Sequence, residues 1–186
     1  MSHKVLVPIA DGTEEIEAVC IIDTLRRAGA SVTVASVDQL QVTASRGVKL
    51  VADRLIARCT DTYDLIVLPG GMPGAEHLRD SKALTALLVR QKDEGRLYGA
   101  ICAAPAVVFQ HHDLLGDRRA TCHPNFTHVL ENPEAVESRV VVDGTCITSR
   151  GPGTALEFAL KLVELLLGPE KAEEVAQPML VVAPEV

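Results

Sequence analysis

The sequence predicts an α/β fold with a mostly parallel central sheet, and three observations carry that expectation. Short apolar runs alternate with longer helix-patterned stretches, the order of strand–helix–strand units. The runs are apolar on nearly every residue, as in strands covered on both faces. Gly12, Gly70-Gly71, Cys102 and His123 all fall just past such runs, and in open parallel sheets sites form at the carboxyl ends of strands.

The first run, Lys4 to Ile9, reads as a strand, with Pro8 placed at its end because proline lacks a ladder donor. Asp11-Gly12-Thr13 turns the chain into a helix from Glu14 to Ala28, closed by Gly29. Glu14, Glu15 and Glu17 fall in its first turn, where acidic side chains suit the helix dipole and usually face water. Glu17 stands apart, because Ile16, Ala18, Val19, Ile21 and Ile22 make its surroundings apolar. Asp23 has similar neighbours, with Arg26 and Arg27 in reach as partners. Ser31 to Ser36 forms a second strand, and Gln41 to Val51 suggests a small hairpin around Ser45-Arg46-Gly47. Leu65 to Leu68 is a buried strand that runs into Pro69-Gly-Gly-Met-Pro-Gly74, where glycines let backbone N–H groups point into a site. A helix follows from Ser81 to about Glu94, capped by Ser81 or Asp80 and stopped by Gly95.

Leu97 to Ile101 is the strand that leads to the chain's most informative residue. Cys102 follows it, and a helix opens at Ala104 with Pro105 in its first turn. A thiol on a tight strand-to-helix bend, near the positive end of a helix dipole, favours an exposed thiolate. Ala100 and Ala104 flank it two positions away on each side, the layout of a nucleophile elbow with cysteine in place of serine. Ala120 to Pro124 ends a further short strand and puts His123 at a loop entrance. Val140 to Thr148 holds a hairpin that turns at Asp143-Gly144. Ser149-Arg-Gly-Pro-Gly153 leads into a helix from Ala155 to Leu167, with Thr154 and Glu157 at capping-box spacing. A short helix follows Pro169, and the tail beyond Pro178 is apolar but broken by proline. Without repeats or linkers, residues 1–186 are expected to form a single domain.

Composition closes off several function classes. A net charge of −7, 3% aromatic residues and no Trp leave no basic, ring-rich patch for nucleic acid or anionic membrane. No apolar run reaches membrane-spanning length. The five cysteines, Cys20, Cys59, Cys102, Cys122 and Cys146, lack a disulfide-scaffold spacing, and no signal peptide precedes Lys4, which points to a reduced, cytoplasmic protein. Metal-ligand spacings such as Cys-x-x-Cys and His-Glu-x-x-His are missing, as is a phosphate-cradling glycine loop with lysine.

Five collinear segments carry a resemblance: Asp11 to Ala18, Leu68 to Gly71, Ala100 to Pro105, Cys122 to Pro124 and Thr148 to Thr154. In this order they resemble the parkinsonism-associated deglycase family of the ThiJ/PfpI-like superfamily, nearest the bacterial YajL-type chaperone and deglycase branch. The resemblance implies a flavodoxin-like three-layer sandwich, a homodimer, and no metal or organic cofactor. It implies that Cys102 is the reactive cysteine, Glu17 the protonated glutamate beside it and His123 the nearby histidine. Gly70, Gly71 and Ala103 correspond to backbone groups of an oxyanion nest, and Asp23, Arg27 and Arg46 to supporting polar residues near a dimer contact. The implied activity is glyoxalase or deglycase chemistry on small 2-oxoaldehydes or glycated adducts. The rival is a redox-responsive chaperone or sensor, with unfolded-protein clients and Cys102 as the oxidised residue. Ala103 stands where amidase and protease cousins carry histidine, which counts against peptide hydrolysis.

Overall fold

The apolar runs become strands of one seven-stranded sheet in a computed structural model that describes residues 2–181. Strands β1 (Lys4–Ile9), β2 (Ser31–Ser36), β5 (Arg54–Leu55), β6 (Leu65–Leu68), β7 (Leu97–Ile101) and β9 (Cys146–Ser149) are parallel. At one edge β8 (Val140–Asp143) pairs antiparallel with β9. The order across the sheet is β5-β2-β1-β6-β7-β9-β8, while β3 (Gln41–Thr43) and β4 (Lys49–Val51) make the expected separate hairpin. Pro8 is the penultimate residue of β1, beyond the Val5 and Leu6 pairs to β6, so its missing N–H breaks no bond on that side.

The α-helices are α1 (Glu15–Arg27), α2 (Gly74–Asp80), α3 (Lys82–Asp93), α4 (Ala155–Leu167) and α5 (Pro169–Ala176). Strand alternation divides the core between the sheet's two faces. Val5, Val7 and Ile9 pack with Ile21 and Leu25 of α1 and Phe158 and Leu162 of α4. Leu6 instead joins Leu78, Leu84, Leu88 and Phe109 on the opposite face. The result is the α/β architecture that the sequence pattern predicts and the flavodoxin-like sandwich that the resemblance implies, with helices on both faces. Helix α1 buries Ala18, Ile21 and Leu25, a helical stripe at spacings of three and four. Gly29, at φ +86°, then ends it in a conformation other residues avoid. No described helix is long and apolar enough to cross a membrane.

Four local expectations are corrected. Residues 120–123 do not form a strand, because both edges of β7 are already taken by β6 and β9. Single bonds hold that segment instead, Thr121 N–H to Thr148 Oγ1 at 2.9 Å and His123 N–H to Cys102 O at 2.8 Å. The glycine-rich loop continues directly into α2, whose seven residues, starting on Gly74, are too short a pattern to read ahead of α3. The helical stretch after Cys102, Pro105–Gln110, is π-type and only six residues long. Thr154 does not cap α4 with its side chain, and Glu157 pairs with Arg139 at 2.7 Å rather than closing a capping box. The proline-broken tail expected beyond Pro178 lies outside the described residues from position 182 onward.

Candidate functional site

Three loops at the carboxyl ends of β1, β6 and β7 meet around Cys102. Its φ is +66°, the left-handed region that a non-glycine residue enters at a cost of about 1–2 kcal/mol. Bonds on both sides fix it there. Cys102 N–H donates to Ser149 O at 3.0 Å, and Cys102 O accepts from His123 N–H at 2.8 Å. This is the tight bend that the sequence predicts.

The two glycines of the β6 loop make room for the elbow. A Cβ on Gly70 would lie 2.7 Å from Cys102 Cβ and 2.8 Å from Ile101 O. Gly71, at φ +88°, would place a Cβ 2.4 Å from Glu14 N and 2.5 Å from Gly12 O. Glu14 N–H in turn donates to Gly70 O at 2.9 Å, so the β6 loop is wedged between the elbow and the start of α1.

The three glutamates of the first turn have three separate fates. Glu14 caps α1, its Oε2 accepting Glu17 N–H at 2.8 Å. Glu15 is buried towards the β3–β4 hairpin, accepting from Ser45 Oγ and Arg46 N–H, both at 2.8 Å. Burial alone raises the Glu15 pKa, but bonds from its own N–H, Ser45, Arg46 and Val48 outweigh that and hold it below the ordinary carboxylate value. Glu17 is fully buried against Cys102, with Oε2 accepting Gly70 N–H at 2.8 Å and Oε1 lacking a partner. The burial of Glu15 had no sequence signal, since a helix start normally faces water.

Burial pushes Glu17 up to about 7; the Gly70 N–H and the Cys102 side chain pull the other way. The expectation of an exposed thiolate is corrected here: Cys102 is buried, only 8% exposed. Burial, and then the Glu17 charge, push its pKa up to about 12, opposed by the Gly71 and Ala103 N–H groups. Thiol and carboxyl form a coupled pair in which a single proton is contested. When Glu17 holds it, the repulsion is gone and the unpartnered Oε1 becomes a donor for sulfur.

The nest is also refined. Gly71 and Ala103 face the sulfur, whereas the Gly70 N–H is occupied by Glu17 and is no free donor. His123 reaches Cys102 through its backbone. Its ring Nδ1 accepts from Asn125 N–H at 3.3 Å, which leaves the proton of the neutral ring on Nε2. Asp23 and Arg27 pair with each other at 2.6 Å on the half-exposed surface of α1. Arg46 is exposed on the hairpin, its backbone held by Glu15 and its guanidinium by Ser45 O at 3.2 Å. Within one chain these three do not bond to Cys102 or Glu17, because helix geometry and the hairpin aim them outward.

Burial also raises Cys122 and Cys146 to about 12, and raises Cys20 and Cys59, but none of these has the Gly71–Ala103 amide pair. Among the described residues no three His, Cys, Asp or Glu side chains converge into a metal-binding set. A groove of about 880 Å³ on α4 and α5 takes in none of Cys102, Glu17 and His123.

The model of the DJ-1/PfpI family matches residues 3–165. Protein DJ-1 homolog B of Arabidopsis thaliana is 53% identical over 181 residues, 96% of this chain but 41% of the plant protein. The chain thus spans less than half the length of that relative. A Caenorhabditis elegans protein, glutathione-independent glyoxalase DJR-1.2, is 37% identical over 181 residues, 96% of this chain and 95% of that one. The solved structure of oxidized Toxoplasma gondii DJ-1 superposes with a TM-score of 0.96 at 52% identity, covering 98% of this chain and 100% of that one.

Proposed function

The chain belongs to the DJ-1/PfpI family, and on that premise we propose that it is a cofactor-independent glyoxalase or deglycase. Its substrates are methylglyoxal-type 2-oxoaldehydes or their early adducts on other molecules. The observation that carries the proposal is the Cys102–Glu17 pair, a buried thiol in a left-handed elbow against a carboxyl whose pKa is about 7. The C. elegans relative is named for a glyoxalase reaction that needs no glutathione, and a protein thiol can replace that tripeptide.

In this reading the Cys102 thiolate attacks the aldehyde carbon as its proton passes to Glu17, and the aldehyde oxygen takes that proton. The product is a hemithioacetal. The Gly71 and Ala103 N–H groups lie beside the sulfur, where they stabilise negative charge on the reacting atoms. Glu17, ionised again, takes the C1 proton and leaves an enediolate with its charge on the C2 oxygen. Glu17 returns that proton to C2 while the C1 hydroxyl proton passes to the C2 oxygen, which gives a thioester of lactate. Water cleaves it to lactate and a proton, restoring the thiol. His123, its ring Nδ1 held by Asn125 N–H, is assigned a part in moving protons during these steps.

Metal-stripped protein converts methylglyoxal to lactate without glutathione in this proposal, and Cys102→Ser does not. A wild-type protein that only forms a dead-end adduct would sink it. A second reading, a redox-responsive chaperone or sensor, rests on the same amide pair, which can hold the oxygen of a sulfenate or sulfinate on Cys102. It predicts peroxide-dependent client binding that Cys102→Ser abolishes, with no lactate produced. We further propose that the chain works as a homodimer. Ile16 and Val19 on α1 and Val48 and Val51 of the hairpin are large apolar residues left exposed in the single chain.

A further inference from the structure

We propose that Ser149 and Thr154 are positioning residues for the Cys102 elbow, acting through a buried chain of hydroxyls behind the site. The inference rests on the reading of Cys102 as the nucleophile. Thr154 has no capping bond to make for α4, yet its side chain is almost fully buried, as is that of Ser149. Ser149 Oγ donates to Arg139 O at 2.7 Å, which uses its only proton. The 2.7 Å contact between the two hydroxyls therefore takes its proton from Thr154, which also lies 3.0 Å from Gly151 O. Thr154 Oγ1 accepts Gly151 N–H at 3.1 Å. The chain thus runs from Gly151 N–H through Thr154 and Ser149 to Arg139 O, with each donor used, and satisfied buried networks of this kind specify one geometry.

Each end of this network bears on a group that holds Cys102 in its strained conformation. Ser149 O accepts the Cys102 N–H at 3.0 Å, so the hydroxyl that fixes Ser149 also fixes that acceptor. Gly151 backs onto His123, where a Cβ would sit 3.5 Å from ring Cδ2, and His123 N–H holds Cys102 O. Ser149 stays paired in β9 with β7 and β8, so loss of the Thr154 hydroxyl loosens the turn at residues 150–154 and the Ser149 side chain, and through them the aim of both clamps on the left-handed residue. Strained residues persist only where their surroundings over-determine them.

Thr154→Val removes the hydroxyl and keeps the shape, while Thr154→Ser restores it. The probe is iodoacetamide, and the readings are the rate of Cys102 alkylation against pH, methylglyoxal turnover, and urea unfolding under the same conditions. Thr154→Val is expected to slow alkylation and turnover by about tenfold and to move the pH midpoint of alkylation, with Thr154→Ser within about twofold of wild type. A lower urea midpoint with unchanged alkylation and pH midpoint would overturn the proposal. If Thr154→Val does not fold, Ser149→Ala serves, with a smaller loss expected on the same readings and the same refuting result. Alkylation reads Cys102 without substrate, so a wild type that lacks turnover defeats the catalytic reading and still leaves this proposal judged.

Discussion

Replacing Glu17 with glutamine tests the buried proton directly. Burial moves this carboxyl from 4.5 to about 7, above its unfolded value. A group with a raised folded pKa contributes its stability in full below the unfolded pKa and loses it as pH rises through the folded one. Wild-type protein therefore weakens between pH 4.5 and about 7, and the full difference is worth about 3 kcal/mol. Glutamine cannot ionise, so Glu17→Gln escapes this loss, and titrating groups not coupled to Glu17 cancel between the two proteins. Urea unfolding at fixed protomer concentration should show the variant gaining about 2–3 kcal/mol on wild type between about pH 5 and pH 8. The gain comes with loss of function. The introduced amide can accept the Gly70 N–H through its oxygen and turn its NH₂ towards sulfur, yet it neither takes nor gives a proton. Turnover should fall by at least about a hundredfold. Removing the Glu17 charge should also lower the Cys102 pKa, by less than its full rise, because burial is the larger cause of that rise. Parallel stability curves for the two proteins would show that Glu17 does not titrate in this window, and the shared-proton argument would fail.

Limiting iodoacetamide at neutral pH, followed by peptide mapping, should mark Cys102 ahead of Cys20, Cys59, Cys122 and Cys146, because only Cys102 has two amides facing its sulfur; preferential labelling elsewhere would count against it. Gly71→Ala puts a Cβ 2.4 Å from the Glu14 backbone at φ +88°, so turnover should vanish and stability should drop by about 3 kcal/mol or more in urea unfolding. Light scattering at micromolar concentration should report a dimer, and Val51→Glu, at a position 69% exposed in the single chain, should shift it towards monomer without loss of helical circular dichroism. A monomeric wild type would remove the dimer from the proposal.

How much of this was legible in the sequence depended on the range of the interaction involved. Lys4 to Ile9 and Leu97 to Ile101 announced themselves as strands because burial on both faces demands apolar residues throughout. Cys102 was legible because its bend is local, with a strand before it and Pro105 after it. Glu17 stood out by its apolar neighbours, which are also local. Glu15 did not, since what buries it comes from Ser45 and Arg46, about 30 residues away in the chain. The strand expected at residues 120–123 failed for a topological reason, because β9 occupies the edge of β7 that the segment would have needed. Thr154 and Glu157 have the spacing of a capping box, but Arg139 and Ser149 offer them better-placed partners.

The burial of Cys102 turns the usual argument for a reactive cysteine around. A helix dipole beside an exposed sulfur would lower the thiol pKa at any substrate-free moment, but the helical stretch here is short and π-type, and burial pushes the other way. What sets this thiol apart is that its proton has somewhere to go. Glu17 at about 7 is the only buried acid in contact with Cys102 among the described residues, and Oε1 has no competing donor. Transfer of the proton across that contact creates the thiolate and removes the repelling charge in one step, while Gly71 and Ala103 hold the sulfur. Burial then favours the transfer over ionisation to solvent, because the pair keeps a single negative charge throughout. The same burial restricts what can react. Only a small electrophile can reach a sulfur that is 8% exposed, and an aldehyde, which needs a nucleophile first and a proton immediately afterwards, matches a site that stores one beside the other.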